Sequence, residues 1–160
     1  MKRLIAILTI LIIIIFFPFQ SKFIISNGNT DEIVYLGDLK DYETFYVSFI
    51  HSVNRTPVRE YYKIVNDKFI SYRAEFYSYG AGMSDGSDIP NSKLTHSENG
   101  LVELELNDEF EKITYYVGTI ANHTLHFNDK ELILSDILEP QSPAVFHIKK
   151  VSIYTILRGA

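Results

Sequence analysis

An all-β domain is the fold class this sequence predicts: an antiparallel β-sandwich or partly open barrel of about 7–9 short strands, preceded by one N-terminal apolar helix. Three observations predict it. Eleven Phe and eleven Tyr join many Ile and Val residues in a 160-residue chain, and aromatic and β-branched side chains favour strands. Apolar and polar residues alternate with a period of two in several short runs, the signature of a half-buried strand. Turn residues recur at close spacing, and beyond the first 20 residues no 12-residue amphipathic helical pattern stands out.

The length suits a single domain. The absence of cysteine excludes disulfides, thiol nucleophiles and zinc–thiolate sites. Net charge is −5, and setting aside the basic pair Lys2 and Arg3 leaves −7 on the rest. A negative domain lacks the clustered Lys and Arg that phosphate contacts need, so no nucleic-acid partner is expected.

After Lys2 and Arg3 the chain is uncharged until Lys22. A membrane-spanning helix takes about 20 apolar residues, and the apolar core of a cleaved signal peptide only about 7–15. Phe16, Phe17 and Phe19 crowd the place where small residues would mark a cut. Residues 1–22 are therefore expected to be an uncleaved signal-anchor, the alternative being a signal peptide cut after Ser26. The basic pair would stay on the cytoplasmic side, placing the domain on the extracytoplasmic side, membrane-anchored, or secreted if the N-terminus is removed. Residues 23–31 read as a linker, ending in the turn-rich Asn27, Gly28, Asn29, Thr30 and Asp31. The β domain is expected over 32–160.

Residues 32–36 suit a short first strand. Phe45, Val47 and Phe49 then alternate with Tyr46, Ser48 and Ile50. Pro57 cannot donate to a ladder and fits the start of the next strand. There Val58, Glu60, Tyr62 and Ile64 share an apolar face, while Arg59, Tyr61 and Lys63 share a solvated one. Asn66 and Asp67 suit a two-residue hairpin turn, because both tolerate positive φ. The following strand puts Ile70, Tyr72, Ala74 and Phe76 on one face, with Ser71, Arg73 and Glu75 on the other. Residues 80–100 read as one long loop. Strands are expected again near 102–106, 113–119, 124–128 and 131–137, with a second hairpin turn at Asn128 and Asp129. The segment 145–157 closes the domain.

The candidate site is the corner between the strands at 45–50 and 57–65. His51, Ser52, Arg55 and Thr56 lie there. Glu60 follows on the apolar face, where an isolated carboxylate is costly to bury and needs a partner. His51 and Arg55 are the nearest candidates. Arg55 could also meet a small carboxylate-like solute through its bidentate fork. Gly80 and Gly82 flank Ala81 at a strand end. They serve either a backbone needing positive φ or close approach, or a nest of N–H groups cupping an anion near the His51 corner. The expected ligand-binding set is thus His51, Ser52, Arg55, Thr56, Glu60, Gly80 and Gly82.

A Ser52–His51–Glu60 hydrolase is disfavoured, because adjacent residues of an extended chain point to opposite faces and no G-x-S-x-G elbow exists. Asp85, Asp88 and His96 lack the spacing of a calcium loop. No catalytic residue, metal or cofactor is expected. His123, His126 and His147 are expected as single surface or rim residues.

The run Phe49-x-His51-Ser52-Val53, then Thr56-Pro57-Val58-x-Glu60-x-Tyr62, then Tyr79-Gly80-Ala81-Gly82-Met83, resembles the DUF1850 family over residues 42–153. These are small exported or membrane-anchored proteins, often encoded beside TRAP-type (TAXI subgroup) permeases. Where the family commonly has proline after the glycine motif and one apolar residue, this chain has Ser84. The resemblance implies an association with a TRAP-type permease; together with the expected anchor and the lack of a catalytic constellation, it leads to the expectation of a non-enzymatic, membrane-tethered accessory or solute-binding component. The alternative is an independent extracytoplasmic module for a small anion.

Overall fold

The computed structural model describes residues 1–77, 93–96 and 100–158. The first helix, α1 (Lys2–Phe16), stops early. Pro18 has no N–H to continue a helix and forces the residue before it toward extended backbone; Phe17 has φ −72° and ψ 128°. No helix among the described residues is long and apolar enough to cross a membrane, and α1 takes up 15 of the residues 1–22 expected as a signal-anchor.

The chain turns directly into β1 (Gln20–Asn27), where the end of an anchor and a linker were expected. Phe23, Ile24 and Ile25 are all fully buried. A strand covered on both faces shows no alternation, so in the sequence it merges with the apolar run before it. Lys22 is also buried and pairs with Asp38, which holds the Asp38 carboxyl below the usual range.

After β1 come β2 (Ile33–Asp38), a 3-10 turn (Leu39–Asp41), β3 (Thr44–Ile50), β4 (Pro57–Val65) and β5 (Lys68–Phe76). Next are β6 (Lys93–His96), β7 (Val102–Phe110), β8 (Lys112–Tyr116), β9 (Thr124–Phe127) and β10 (Lys130–Ile133). A second 3-10 turn (Leu134–Asp136), β11 (Pro143–Val151) and a short helix α2 (Ile153–Arg158) complete the described chain. Strand β6 interrupts the segment read as loop over 80–100, and 145–157 splits into the end of a strand and a helix.

The strands form two sheets rather than a closed barrel. One has the order β2-β1-β11-β8 and the other β10-β9-β3-β4-β5-β7-β6. All the pairings are antiparallel. Both predicted hairpin turns are present, with positive φ at Asn66, Asp67 and Asn128.

The core lies between the sheets and is strongly aromatic. Phe23 stacks on Tyr42 with centroids 4.2 Å apart and meets Phe45, Phe69 and Phe146 edge-on or obliquely. The expected facing of β5 holds only in its second half. Tyr72 is an extra residue in the ladder to β4, while in the ladder to β7 the extra residue lies on β7. A bulge of this kind reverses the alternation, so Phe69 and Ser71 face the core before it, and Ala74 and Phe76 after it.

Candidate functional site

The corner after β3 is a turn built around His51. The His51 N–H donates to the Thr56 carbonyl and the Arg55 N–H to the His51 carbonyl, both at 2.9 Å. The ring caps the turn from within: Nδ1 accepts the backbone N–H groups of Val53 and Asn54, each at 3.3 Å. An accepting Nδ1 places the ring proton on Nε2, an assignment read from the hydrogen-bond network. Arg55 adopts φ 53°, and its side chain and that of Ser52 are exposed. Thr56 Oγ1 is buried with no hydrogen-bond partner.

Glu60 does not belong to this corner. It pairs with Val47, three ladder positions beyond the Ile50–Pro57 pair at the turn, or about 10 Å along the strand. It does lie on the core side of β4, and its carboxylate is partnered there, but by two tyrosines rather than by His51 or Arg55. Tyr62 Oη donates to Glu60 Oε2 at 3.1 Å, and Tyr115 Oη donates to the same oxygen. The two hydroxyls also lie 2.8 Å apart. Burial, followed by the charge of Glu60, raises both phenols above their ordinary value, so they remain protonated donors. Gly80 and Gly82 lie outside the described residues, as do Asp85 and Asp88.

Among the described residues both hydrogen bonds to Glu60 fall on Oε2, and Oε1 takes none. Glu60 lines a cleft of about 350 Å³ between β4 and β8, the edge strand of the opposite sheet. Phe110, Ile113, Tyr115 and Tyr62 supply its apolar and aromatic walls, with Lys112 and Thr114 beside them. A half-buried acceptor with its other oxygen already held is chemically a fixed receptor for an N–H or O–H donor. Among the described residues no group of three or more His, Asp or Glu side chains could hold a metal ion.

Tyr115 and Lys112 escaped sequence reasoning because they sit more than 50 residues from Glu60. The available signal was a hydroxyl-bearing residue, Tyr115, at the apolar parity of Ile113 and Val117. The solvent side of the larger sheet was also under-read. Glu75 is buried there, taking the Tyr61 hydroxyl at 2.8 Å and the Arg59 and Arg73 guanidiniums at 3.4 and 3.5 Å. The Arg73 guanidinium lies 3.9 Å above the Tyr61 ring. His126 stacks on Tyr46 and contacts Ser48 and Glu131 at 2.7 and 3.2 Å.

Of the histidines expected at the surface or rim, His147 is inside and His123 is half-buried. His147 is buried, with Ser26 Oγ 3.2 Å from Nε2 and Nδ1 unpartnered. His123 packs against the rings of Phe49 and Tyr115, and its buried Nδ1 is also unpartnered. Both lie opposite or beside large apolar residues that shield them from water.

The DUF1850 family, described as a domain of unknown function, matches residues 45–134, more than half of the chain. The chain belongs to the DUF1850 family. The match runs from β3 to the end of β10, so the DUF1850 segment contains the larger sheet, β8 and all three members of the Glu60–Tyr62–Tyr115 cluster. It is shorter than the 42–153 expected, leaving β1, β2 and β11 outside. No curated protein and no solved structure matches the chain.

Proposed function

We propose that this DUF1850 protein is a non-enzymatic, membrane-tethered extracytoplasmic component of a TRAP-type transporter that holds a small solute in the Glu60 cleft. The observation carrying the solute reading is a carboxylate in a cleft of about 350 Å³ whose Oε2 is fixed by two tyrosines and whose Oε1 has no partner among the described residues. Ligand sites of this kind combine apolar walls with a few fixed polar groups. Glu60 would accept an ammonium or amide N–H, aromatic rings would cover the solute body, and Lys112 would meet a carboxylate at the rim. The ligand class is therefore a small zwitterion or an amide-bearing carboxylate. This replaces Arg55 with Lys112 as the group that meets the carboxylate.

The tether reading rests on α1, an apolar helix exposed along nearly its whole length. A helix that is apolar all round belongs in a nonpolar surrounding. The transporter association rests on the family resemblance alone.

The test uses the full chain in mild detergent. A panel of amino acids and matched carboxylic acids is screened by thermal melting, and the chain is purified from native membranes to identify what accompanies it. An amino-acid-like solute is expected to raise Tm, and Glu60→Gln to abolish the shift. A screen in which no solute stabilises the protein sinks the binding reading. Purification without a permease sinks the transporter reading independently.

A further inference from the structure

We infer that the end of the smaller sheet bearing α2 is a foot that docks on a phospholipid bilayer, so that the domain sits flush on the membrane. This rests on the tether reading above, and it adds a second contact surface distinct from α1.

Register brings the two helices to one place. Gln20 pairs with Val151, so the start of β1 and the end of β11 lie side by side, with α1 just before one and α2 just after the other. Only Phe17, Pro18 and Phe19 separate α1 from β1, which leaves no length for a flexible linker. Ser152 Oγ accepts the Thr155 N–H at 3.2 Å and starts α2. Tyr154 then packs on Phe16, ring centroids 5.1 Å apart. The outcome is one apolar patch: Phe16, Phe17, Phe19, Tyr154 and Leu157 are all exposed, Leu157 by 80 %. The patch is continuous with α1, where Leu and Ile residues are more than half exposed.

Length decides what covers it. Fifteen residues of α1 give about 22 Å of helix, against a hydrocarbon core of about 30 Å. Burying α1 as fully as its composition favours draws the apolar segment after it, about 10 Å when extended, toward the head groups. That sets the first pair of the β1–β11 ladder at the interface. There α2, held to Phe16 through Tyr154, lies at head-group depth, where tyrosine is enriched. Lys149, Lys150 and Arg158 are exposed near the same end, and basic residues at this level attract anionic head groups. A second copy of the chain would cover the apolar patch equally well but would bring those three cations against their own kind.

Since the chain has no cysteine, single cysteines can be labelled uniquely with an environment-sensitive dye. Ile10→Cys reports on α1, Leu157→Cys on the foot, and Val53→Cys on the exposed turn between β3 and β4. The full chain is reconstituted into vesicles of phosphatidylcholine and phosphatidylglycerol, with and without spin-labelled lipid. The dyes at 10 and 157 are expected to shift to the blue and to be quenched severalfold by the spin label, and the dye at 53 to remain water-like. Quenching at 10 with a water-like dye at 157 overturns the foot while leaving the tether standing. A water-like dye at 10 removes the tether and the foot together. A blue shift at 157 that spin-labelled lipid does not quench means cover by protein, and also overturns the proposal.

Discussion

Glu60 faces two demands that a mutation can separate. If its carboxylate served only to satisfy Tyr62 and Tyr115, replacing it would leave two buried hydroxyls that still have each other at 2.8 Å. An apolar substitute would then also remove the cost of holding a charge in a half-buried place. Glu60→Leu is therefore expected to match or exceed wild-type stability within about 1 kcal/mol while losing solute binding, checked by urea unfolding and thermal melting. A loss of several kcal/mol would instead make Glu60 a structural residue. Tyr115→Phe removes a hydroxyl from a buried position and leaves Glu60 Oε2 with Tyr62 alone. Hydrogen bonds to charged groups contribute about 1.5–3 kcal/mol, and a stability loss of that order is expected in the same urea experiment. Sequence reasoning placed Glu60 on the apolar side of its strand and required a partner for it. It chose His51 and Arg55 because they are near in the chain, whereas the ladder register carries Glu60 away from the turn and toward Tyr115 on the facing sheet.

Strand β1 shows how an element can be hidden by its own burial. Phe23, Ile24 and Ile25 are fully enclosed, and truncating a buried Phe alone costs about 3–5 kcal/mol. A chain beginning at residue 20 is expected to fold, and one beginning at residue 27 to fail, since losing these side chains consumes most of a typical 5–15 kcal/mol margin. Circular dichroism and limited proteolysis of the two truncations check this. Processing after Ser26 would remove the same three side chains. In β2, a Cβ added at Gly37 would come within 2.5 Å of the Tyr42 ring. That ring is sandwiched between Phe23 and Phe127 and cannot swing away. Gly37→Ala is expected to cost about 1–3 kcal/mol by overpacking, read as a lower Tm. The bulge at Tyr72 is an element-scale feature of the same kind: nothing in residues 69–76 announces it, because both parities of that run carry apolar residues.

For the molecule as a whole, buried imidazoles set an acid limit. Burial, followed by the nearby charges of Lys149 and Lys112, pulls His147 down to about 4 from its ordinary 6.5. His123 and His126 are lowered as well, burial being the main cause. Because these folded-state values lie below the unfolded one, the unfolded chain takes up protons first as the pH falls. The stability tied to His147 is intact above pH 6.5 and lost between 6.5 and about 4, an effect of up to about 3 kcal/mol. His147→Phe is expected to flatten that part of a stability-versus-pH curve measured by denaturant unfolding. The sequence by itself determined the all-β class, the strands on either side of each hairpin turn and the family, since alternation and turn chemistry are written in neighbouring residues. Only the tertiary structure decided that β1 is a core strand, that Tyr115 meets Glu60 and Lys112 shares its cleft, and that His147 is inside. Those facts depend on which strands pair and which sheet faces which, and pairing between residues 20 and 151 or approach between 60 and 115 leaves no mark in any short window of the chain.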